Sequence, residues 1–163
     1  METRKPTRLK DYDYSSAGYY FITICTAEKR QILCNIVGDG AHDVPKIILS
    51  DVGKIVEKYI ESSNNIPSIN ICKYVIMPNH IHILLNVQNG NIGGMSKAPS
   101  PTNKAIPHFV STLKRFVNKE LGENIFQRSF YDHVIRNEAD YLRIWEYIEE
   151  NPAKWDEDKY YTE

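Results

Sequence analysis

Residues 80 to 87, HIHILLNV, constrain the fold of this chain more than any other stretch. Successive side chains of a β-strand point to opposite faces, so one face here is wholly apolar and belongs in a core. That face carries Ile81, Ile83, Leu85 and Val87. His80 and His82 share the opposite face, with Cβ atoms roughly 7 Å apart, so both rings can reach one cation.

Two interpretations of the histidine pair remain open on these residues alone. The pair is either half of a metal site or two surface histidines that are hydrogen-bonded to their neighbours. A histidine-triad hydrolase needs a third histidine at position 84, which is leucine. A zinc deaminase needs a Cys-x-x-Cys pair, which the sequence lacks. A metal site would therefore take its third ligand from elsewhere in the chain.

Hydrophobic periodicity predicts the remaining elements. Strands are expected over 19–26, 69–76, 80–87 and 130–136, and helices over 50–63, 106–121 and 137–152. The stretch between the first strand and the first helix is expected to be irregular. The order strand, helix, strand, strand, helix, strand predicts an α+β, ferredoxin-like βαββαβ fold. Its antiparallel sheet would carry the helices on one face, with one extra C-terminal helix.

Length and composition predict a single domain over residues 1–163. Residues 1–15 are expected to form a basic N-terminal arm, 88–104 a flexible loop and 156–163 an acidic tail. The chain has no apolar run long enough to span a membrane and no secretory signal at its N-terminus. Its three cysteines fit neither a disulfide framework nor a metal-binding spacing. We therefore expect a soluble, cytoplasmic protein with free thiols and no membrane partner.

The last predicted helix offers a second candidate group. Tyr141 lies near the centre of its apolar stripe and is expected in the core. Tyr147 and Asn151 are one turn apart on the flank of that stripe, where a hydroxyl and an amide could both face a site. Tyr147 could equally be a tyrosine that packs at the edge of the core.

Three segments together resemble the REP-associated tyrosine transposases, a branch of the HUH single-tyrosine transposases. They are MPNHIHILL, FVSTLKRFVNKE and FQRSFYDHVIRNEADYLRIWEYIEENPAKW, and the resemblance spans about residues 19–155. It implies that His80 and His82 are metal ligands, that Asn151 is the third ligand, and that Tyr147 is the nucleophile. It further implies Mg²⁺ or Mn²⁺ as the cofactor.

The implied reaction is the cleavage and rejoining of single-stranded DNA through a 5′-phosphotyrosine, at hairpin-bearing repeats. Family members occur as monomers and as dimers, so the helix that carries Tyr147 could act in cis or in trans. Two alternatives stay open: an HUH replication initiator or relaxase, and a domesticated, non-catalytic DNA-binding protein. Basic residues expected to contact the DNA backbone are Lys10, Lys114, Arg115, Arg128 and Arg136.

Overall fold

The computed structural model describes residues 17–38, 44–88 and 105–162. In chain order its elements are β1 (Gly18–Cys25), β2 (Cys34–Val37), β3 (Lys46–Leu49), α1 (Asp51–Ser62), β4 (Ile69–Ile76), β5 (His80–Val87), α2 (Ala105–Leu121), β6 (Tyr131–Ile135) and α3 (Glu138–Glu150). A 3-10 helix, Asn151–Glu157, follows α3 directly. The arm expected over 1–15, with Lys10, and all but the first residue of the loop expected over 88–104 lie outside the described residues.

The main sheet has four antiparallel strands in the order β4-β5-β1-β6. Strand β5 therefore lies in the interior of the sheet, between β4 and β1. Its register with β1 places Thr23 beside His82 and Cys25 beside His80. Because side chains of directly paired residues lie on the same face, Thr23 is a neighbour of the histidine pair.

The two faces of this sheet are covered by different helices. The apolar face of β5 packs with α1 and α2 into the larger core, as its alternation predicts. The buried members that these three elements contribute include Val56, Ile60, Ile81, Ile83, Leu85, Phe109 and Leu113. The opposite face packs against α3 in a smaller cluster that contains Val75, Met77, Leu84, Ile144 and Ile148. The histidines lie on this second face.

The N-terminus of α3 is fixed by a side-chain cap. The Asn137 Oδ1 atom accepts a hydrogen bond of 2.8 Å from the Asp140 backbone N–H. The α-helix ends at Glu150, and the chain tightens into the 3-10 helix, with Pro152 near its start. Tyr147 is thus held on the last turn of α3, one turn before Asn151.

A short hairpin was not expected from the sequence. Strands β2 and β3 pair antiparallel into a separate two-stranded sheet where an irregular stretch is expected. Each strand has four residues, which is too few for alternation to stand out beside the neighbouring glycines and Pro45. Within the described ranges, none of the helices combines the length and the apolar character that crossing a bilayer requires.

Candidate metal and tyrosine site

The two histidines are fully covered inside the protein. His80 is 0% exposed and His82 is 1% exposed. Their Nε2 atoms approach each other to 3.0 Å. The pair is therefore not the exposed surface pair that was one of the two interpretations of the sequence.

Hydrogen bonds on the far side of each ring orient the two imidazoles. Asn79 donates its Nδ2–H to the Tyr160 carbonyl over 2.7 Å, so its Oδ1 atom faces His80 Nδ1 at 2.9 Å. An amide oxygen only accepts, so we assign the His80 proton to Nδ1, which leaves a lone pair on Nε2. The Thr23 hydroxyl lies 2.8 Å from His82 Nδ1 and can orient that ring in the same way.

Both rings are neutral at neutral pH. Burial lowers the pKa of His80 from 6.5 to about 4, and the Lys159 charge adds to that effect, while Asp158 and Asn151 oppose it. Burial also places the pKa of His82 well below 6.5, with further lowering from His80 and Lys159. Because His80 Nε2 carries no proton, His82 Nε2–H either donates to it over 3.0 Å, or both nitrogen atoms present lone pairs to a shared cation. The arrangement fits a shared metal ion.

Asn151, the third ligand that the resemblance implies, lies beside His80. Its side chain is buried, and its Nδ2–H donates to Asp158 Oδ2 over 2.9 Å. Within the described part of the chain its Oδ1 atom is buried and has no hydrogen-bond partner. A buried acceptor left without a donor is costly in a folded protein. A buried amide oxygen without a hydrogen-bond donor suits a ligand for Mg²⁺ or Mn²⁺.

Asp158 is a candidate ligand that sequence reasoning missed. It lies in the segment expected to be an acidic tail, yet its side chain is 1% exposed. Its Oδ2 atom is 3.9 Å from His80 Nε2, and ligand atoms of His80, His82 and Asp158 all fall within 4.8 Å of one another. Its sequence spacing carries no signal, because the carboxylate reaches the histidines only through the fold.

The Tyr147 hydroxyl faces the same point. Its oxygen is 3.4 Å from His82 Nε2, and the residue is 36% exposed. Burial raises the pKa of this phenol, and the nearby Asp158 carboxylate raises it further, whereas the Asn151 amide lowers it. The hydroxyl is therefore protonated at neutral pH and open to solvent on one side. We call His80, His82, Tyr147, Asn151 and Asp158 the histidine–tyrosine site.

Tyr160 closes this site on the side of the C-terminal segment. Its ring centroid is 4.5 Å from that of His80 and 5.9 Å from that of His82. It is 8% exposed, and no pattern in the sequence singled it out among the eleven tyrosines. The segment after α3 therefore supplies both a carboxylate and an aromatic wall.

The basic residues expected to bind DNA are placed differently from the histidine–tyrosine site. The Lys114 ammonium donates to the backbone carbonyls of Gln127, Arg128 and Ser129, and burial lowers its pKa to about 8. Exposed side chains are those of Arg115, Arg128 and Arg136. The lysines that line the clefts beside the histidine–tyrosine site are instead Lys29, Lys154 and Lys159.

No protein-family model matches the chain. An uncharacterized protein of Haemophilus influenzae is 32% identical over 176 residues, covering 98% of this chain and 94% of that protein. A second Haemophilus influenzae protein, described as a "Putative REP-associated tyrosine transposase", is 26% identical over 148 residues, covering 87% and 74%.

A solved structure shares the fold. It is that of a REP-associated tyrosine transposase bound to a REP hairpin, and the similarity covers 87% of this chain and 70% of the other, with a TM-score of 0.59 and 22% identity. The relative that covers most of the chain therefore carries the same family description as the three sequence segments suggest, and the solved structure shows that the fold is shared. The resemblance of this chain to the REP-associated tyrosine transposases is thus confirmed.

Proposed function

We propose that this protein cleaves and rejoins single-stranded DNA at hairpin-bearing repeats through a 5′-phosphotyrosine, with Mg²⁺ or Mn²⁺ as the cofactor. The observation that carries the proposal is the convergence of the Tyr147 hydroxyl, two imidazole Nε2 atoms and an orphaned amide oxygen. A structural cluster of this size would satisfy its buried polar atoms internally. This one leaves the Asn151 Oδ1 acceptor without a partner among the described residues, and its two imidazole Nε2 atoms lie 3.0 Å apart.

Three side chains would hold the ion. His80 and His82 offer Nε2 and Asn151 offers Oδ1, with the Asp158 carboxylate close enough to take part. A carboxylate and an amide oxygen beside two imidazoles suit Mn²⁺ well and Mg²⁺ acceptably. Once bound, such an ion neutralises charge on a phosphodiester and aligns it for in-line displacement.

Tyr147 acts as the nucleophile. Its oxygen attacks the phosphorus, a bond from tyrosine oxygen to phosphorus forms, and the bond to the 3′-oxygen breaks. The raised pKa of the phenol means that its proton must be taken up during attack, and the neighbouring Asp158 carboxylate is placed to accept it. The 3′-oxygen leaves with a proton, and the 5′-phosphotyrosine keeps the bond energy for joining another strand end.

The fold supports this assignment. We infer that the main sheet with α1 and α2 is the ferredoxin-like βαββαβ core and that α3 is the added helix that carries the nucleophile. The strand order β4-β5-β1-β6 agrees with that core. We also propose that residues 1–163 form one HUH-type domain. The distance of 3.4 Å from Tyr147 to His82 within one chain favours action in cis.

DNA would be held first through its phosphates. Arg115, Arg128 and Arg136 are exposed and remain candidates for backbone contacts. Lys114 would have to release three carbonyls before it could reach a phosphate, so we assign it the weakest contact of the four. Lys10 remains a prediction from the sequence.

A covalent-adduct assay tests the proposal. A labelled pool of single-stranded hairpins with randomised flanks is incubated with the protein and Mn²⁺, then resolved under denaturing conditions. We expect an adduct that survives denaturation, is lost in Tyr147→Phe, and is kept in the control Tyr161→Phe, which changes another exposed tyrosine.

The outcomes separate the alternatives. An undiminished adduct in Tyr147→Phe contradicts the nucleophile assignment. Hairpin binding without any adduct favours the domesticated DNA-binding protein.

A further inference from the structure

A cleft of about 470 Å³ lies over the paired strands β1 and β6, beside the histidine–tyrosine site. Its walls include Thr23, Lys29, Tyr131, Lys159 and Tyr160, and we call it the β1–β6 cleft. Sites for small organic ligands typically span about 300 to 1,000 Å³, so this cleft has room for one nucleotide.

The β1–β6 cleft adjoins the histidine–tyrosine site through two of its wall residues. Thr23, in its wall, contacts His82 Nδ1 at 2.8 Å, and the Tyr160 ring lies against His80. A ligand in the cleft would therefore lie directly beside any phosphate attacked by Tyr147. The two places can be occupied by consecutive units of one strand.

The chemistry of the walls suits an unpaired nucleotide. The Tyr131 ring is 42% exposed and offers a stacking surface for a base, with the Tyr160 ring centroid 6.5 Å away. Lys29 and Lys159 supply two cations for phosphate oxygens. Polar groups that can contact base edges also line the cleft, namely Gln127, Asp132 and His133.

A second cleft beside Tyr147 makes a useful contrast. It is smaller, about 290 Å³, and is also lined by Lys159 together with Lys154. Three carboxylates share its walls, those of Glu150, Glu157 and Asp158. These charges would repel a phosphate, so the β1–β6 cleft is the better nucleotide site of the two.

Backbone strain points to the same cleft. Glu28 and Lys29 are consecutive non-glycine residues with φ of 55° and 54°, in the left-handed region. Such residues persist only where the surroundings hold them, and they cluster at ligand clamps. Here Thr26 Oγ1 donates to the Arg30 carbonyl over 2.8 Å, and Asn79 Nδ2 reaches the Lys29 carbonyl at 3.4 Å.

The Asn79 side chain thereby contacts both the strained turn and the His80 imidazole, which it also orients. These hydrogen bonds hold a strained turn that places Lys29 in the wall of the cleft. Such strain is typical of a turn that positions a side chain for a ligand.

We propose that the β1–β6 cleft binds one unpaired nucleotide next to the scissile phosphate, with its base on Tyr131 and its phosphate between Lys29 and Lys159. The position relative to the scissile phosphate rests on the proposed function. Binding of an unpaired nucleotide in the cleft does not.

Binding of a short oligonucleotide tests the proposal without cleavage. The probe is a single-stranded oligothymidylate with one central 2-aminopurine and a 5′ fluorophore, titrated with the full chain in metal-free buffer. We expect 2-aminopurine fluorescence to be quenched on binding. Tyr131→Ala should relieve the quenching and weaken affinity by about 5-fold to about 100-fold, whereas Tyr131→Phe should keep both.

Lys29→Asn is the second variant, because asparagine tolerates the left-handed conformation and removes the charge. It should weaken affinity and lower the slope of log affinity against log salt by about 0.7. Tyr161→Ala is the control, since it removes an exposed tyrosine that does not line the β1–β6 cleft.

Parent-like affinity and quenching in Tyr131→Ala overturns the proposal, even where Lys29→Asn binds more weakly. If the parent protein forms no covalent adduct but its quenching still depends on Tyr131, the proposed function is overturned and the nucleotide site stands. If the parent forms the adduct but its binding does not depend on Tyr131, the nucleotide site is overturned and the proposed function stands.

Discussion

The two faces of the main sheet are built from the same strands but differ in kind. The face toward α1 and α2 carries the larger apolar cluster, with Ile81 and Ile83 both 0% exposed. The face toward α3 carries a smaller cluster, and beside it are buried polar side chains. They include Thr23, Asn79, His80, His82 and Asn151.

The difference shows where stability and chemistry reside. Burying apolar area stabilises the fold, whereas burying an imidazole or an amide costs free energy unless it is fully hydrogen-bonded. The α3 face holds several such groups and leaves Asn151 Oδ1 without a partner in the described structure. The α3 face therefore contributes less stability than an apolar face on the same strands would, which is typical of a site that needs a ligand.

Substitutions at two adjacent positions in β5 test most directly whether the two faces contribute differently to stability. Ile83 and Leu84 are both 0% exposed and point to opposite faces. We expect Ile83→Ala to lower the free energy of unfolding by about 4 kcal/mol and Leu84→Ala by about 2 to 3 kcal/mol, because the α3 cluster has fewer apolar neighbours to lose. Urea denaturation at fixed pH measures both.

Ile83→Val serves as the control, with an expected loss of about 1 kcal/mol. A larger loss for Leu84→Ala than for Ile83→Ala would mean that α3 contributes more to stability than the α1 and α2 layer does.

The same alternation explains how much of the structure the sequence could predict. The spacing of apolar residues marks the buried faces of strand β5 and of helices α2 and α3, so all three elements were correctly predicted. Tyr147 and Asn151 lie near the histidine pair in the structure, and their roles stay predictions.

Other parts of the site could not be predicted because they depend on distant contacts. Asp158 and Tyr160 follow a 3-10 helix that no periodicity encodes, and their approach to His80 depends on how that helix leaves α3. The role of Asn79 likewise depends on the Tyr160 carbonyl. A polar residue next to a predicted ligand is the signal that could have drawn attention to it.

Removing one histidine tests the polar side of the comparison. We expect His80→Ala and His82→Ala each to weaken Mn²⁺ binding by about 100-fold or more, because each removes one of the few ligands that converge there. Isothermal titration calorimetry measures the affinity. His108→Ala, an exposed histidine on α2, is the matched control. Mn²⁺ affinity unchanged in both variants would show that the ion binds elsewhere.

The pH dependence of stability is the next largest effect. In metal-free protein the pKa of His80 is about 4 against an ordinary 6.5, so the unfolded chain binds a proton over that interval and the native state does not. The free energy of unfolding should therefore be highest above pH 6.5 and fall by a few kcal/mol as the pH is lowered toward about 4. The lowered pKa of His82 acts in the same direction.

Urea denaturation across this pH range, with a chelator present, measures the slope, and His80→Gln should flatten it. An equal slope in parent and His80→Gln would assign the effect to other groups. Saturating Mn²⁺ should raise stability most at the upper end of the range, because protons compete for the same nitrogen atoms.

The smallest effect should come from Asp158→Asn, which changes how Asn151 is oriented. The carboxylate can only accept, so it holds the Asn151 NH₂ group and turns Oδ1 away from itself. An amide at position 158 can accept or donate, so Asn151 can flip and present nitrogen to the ion. We expect Mn²⁺ affinity to fall about 10-fold, and calorimetry against Asp156→Asn, an exposed neighbour, isolates the effect. A loss as large as that in His80→Ala would instead make Asp158 a direct ligand, while no loss would leave Asn151 oriented by other contacts.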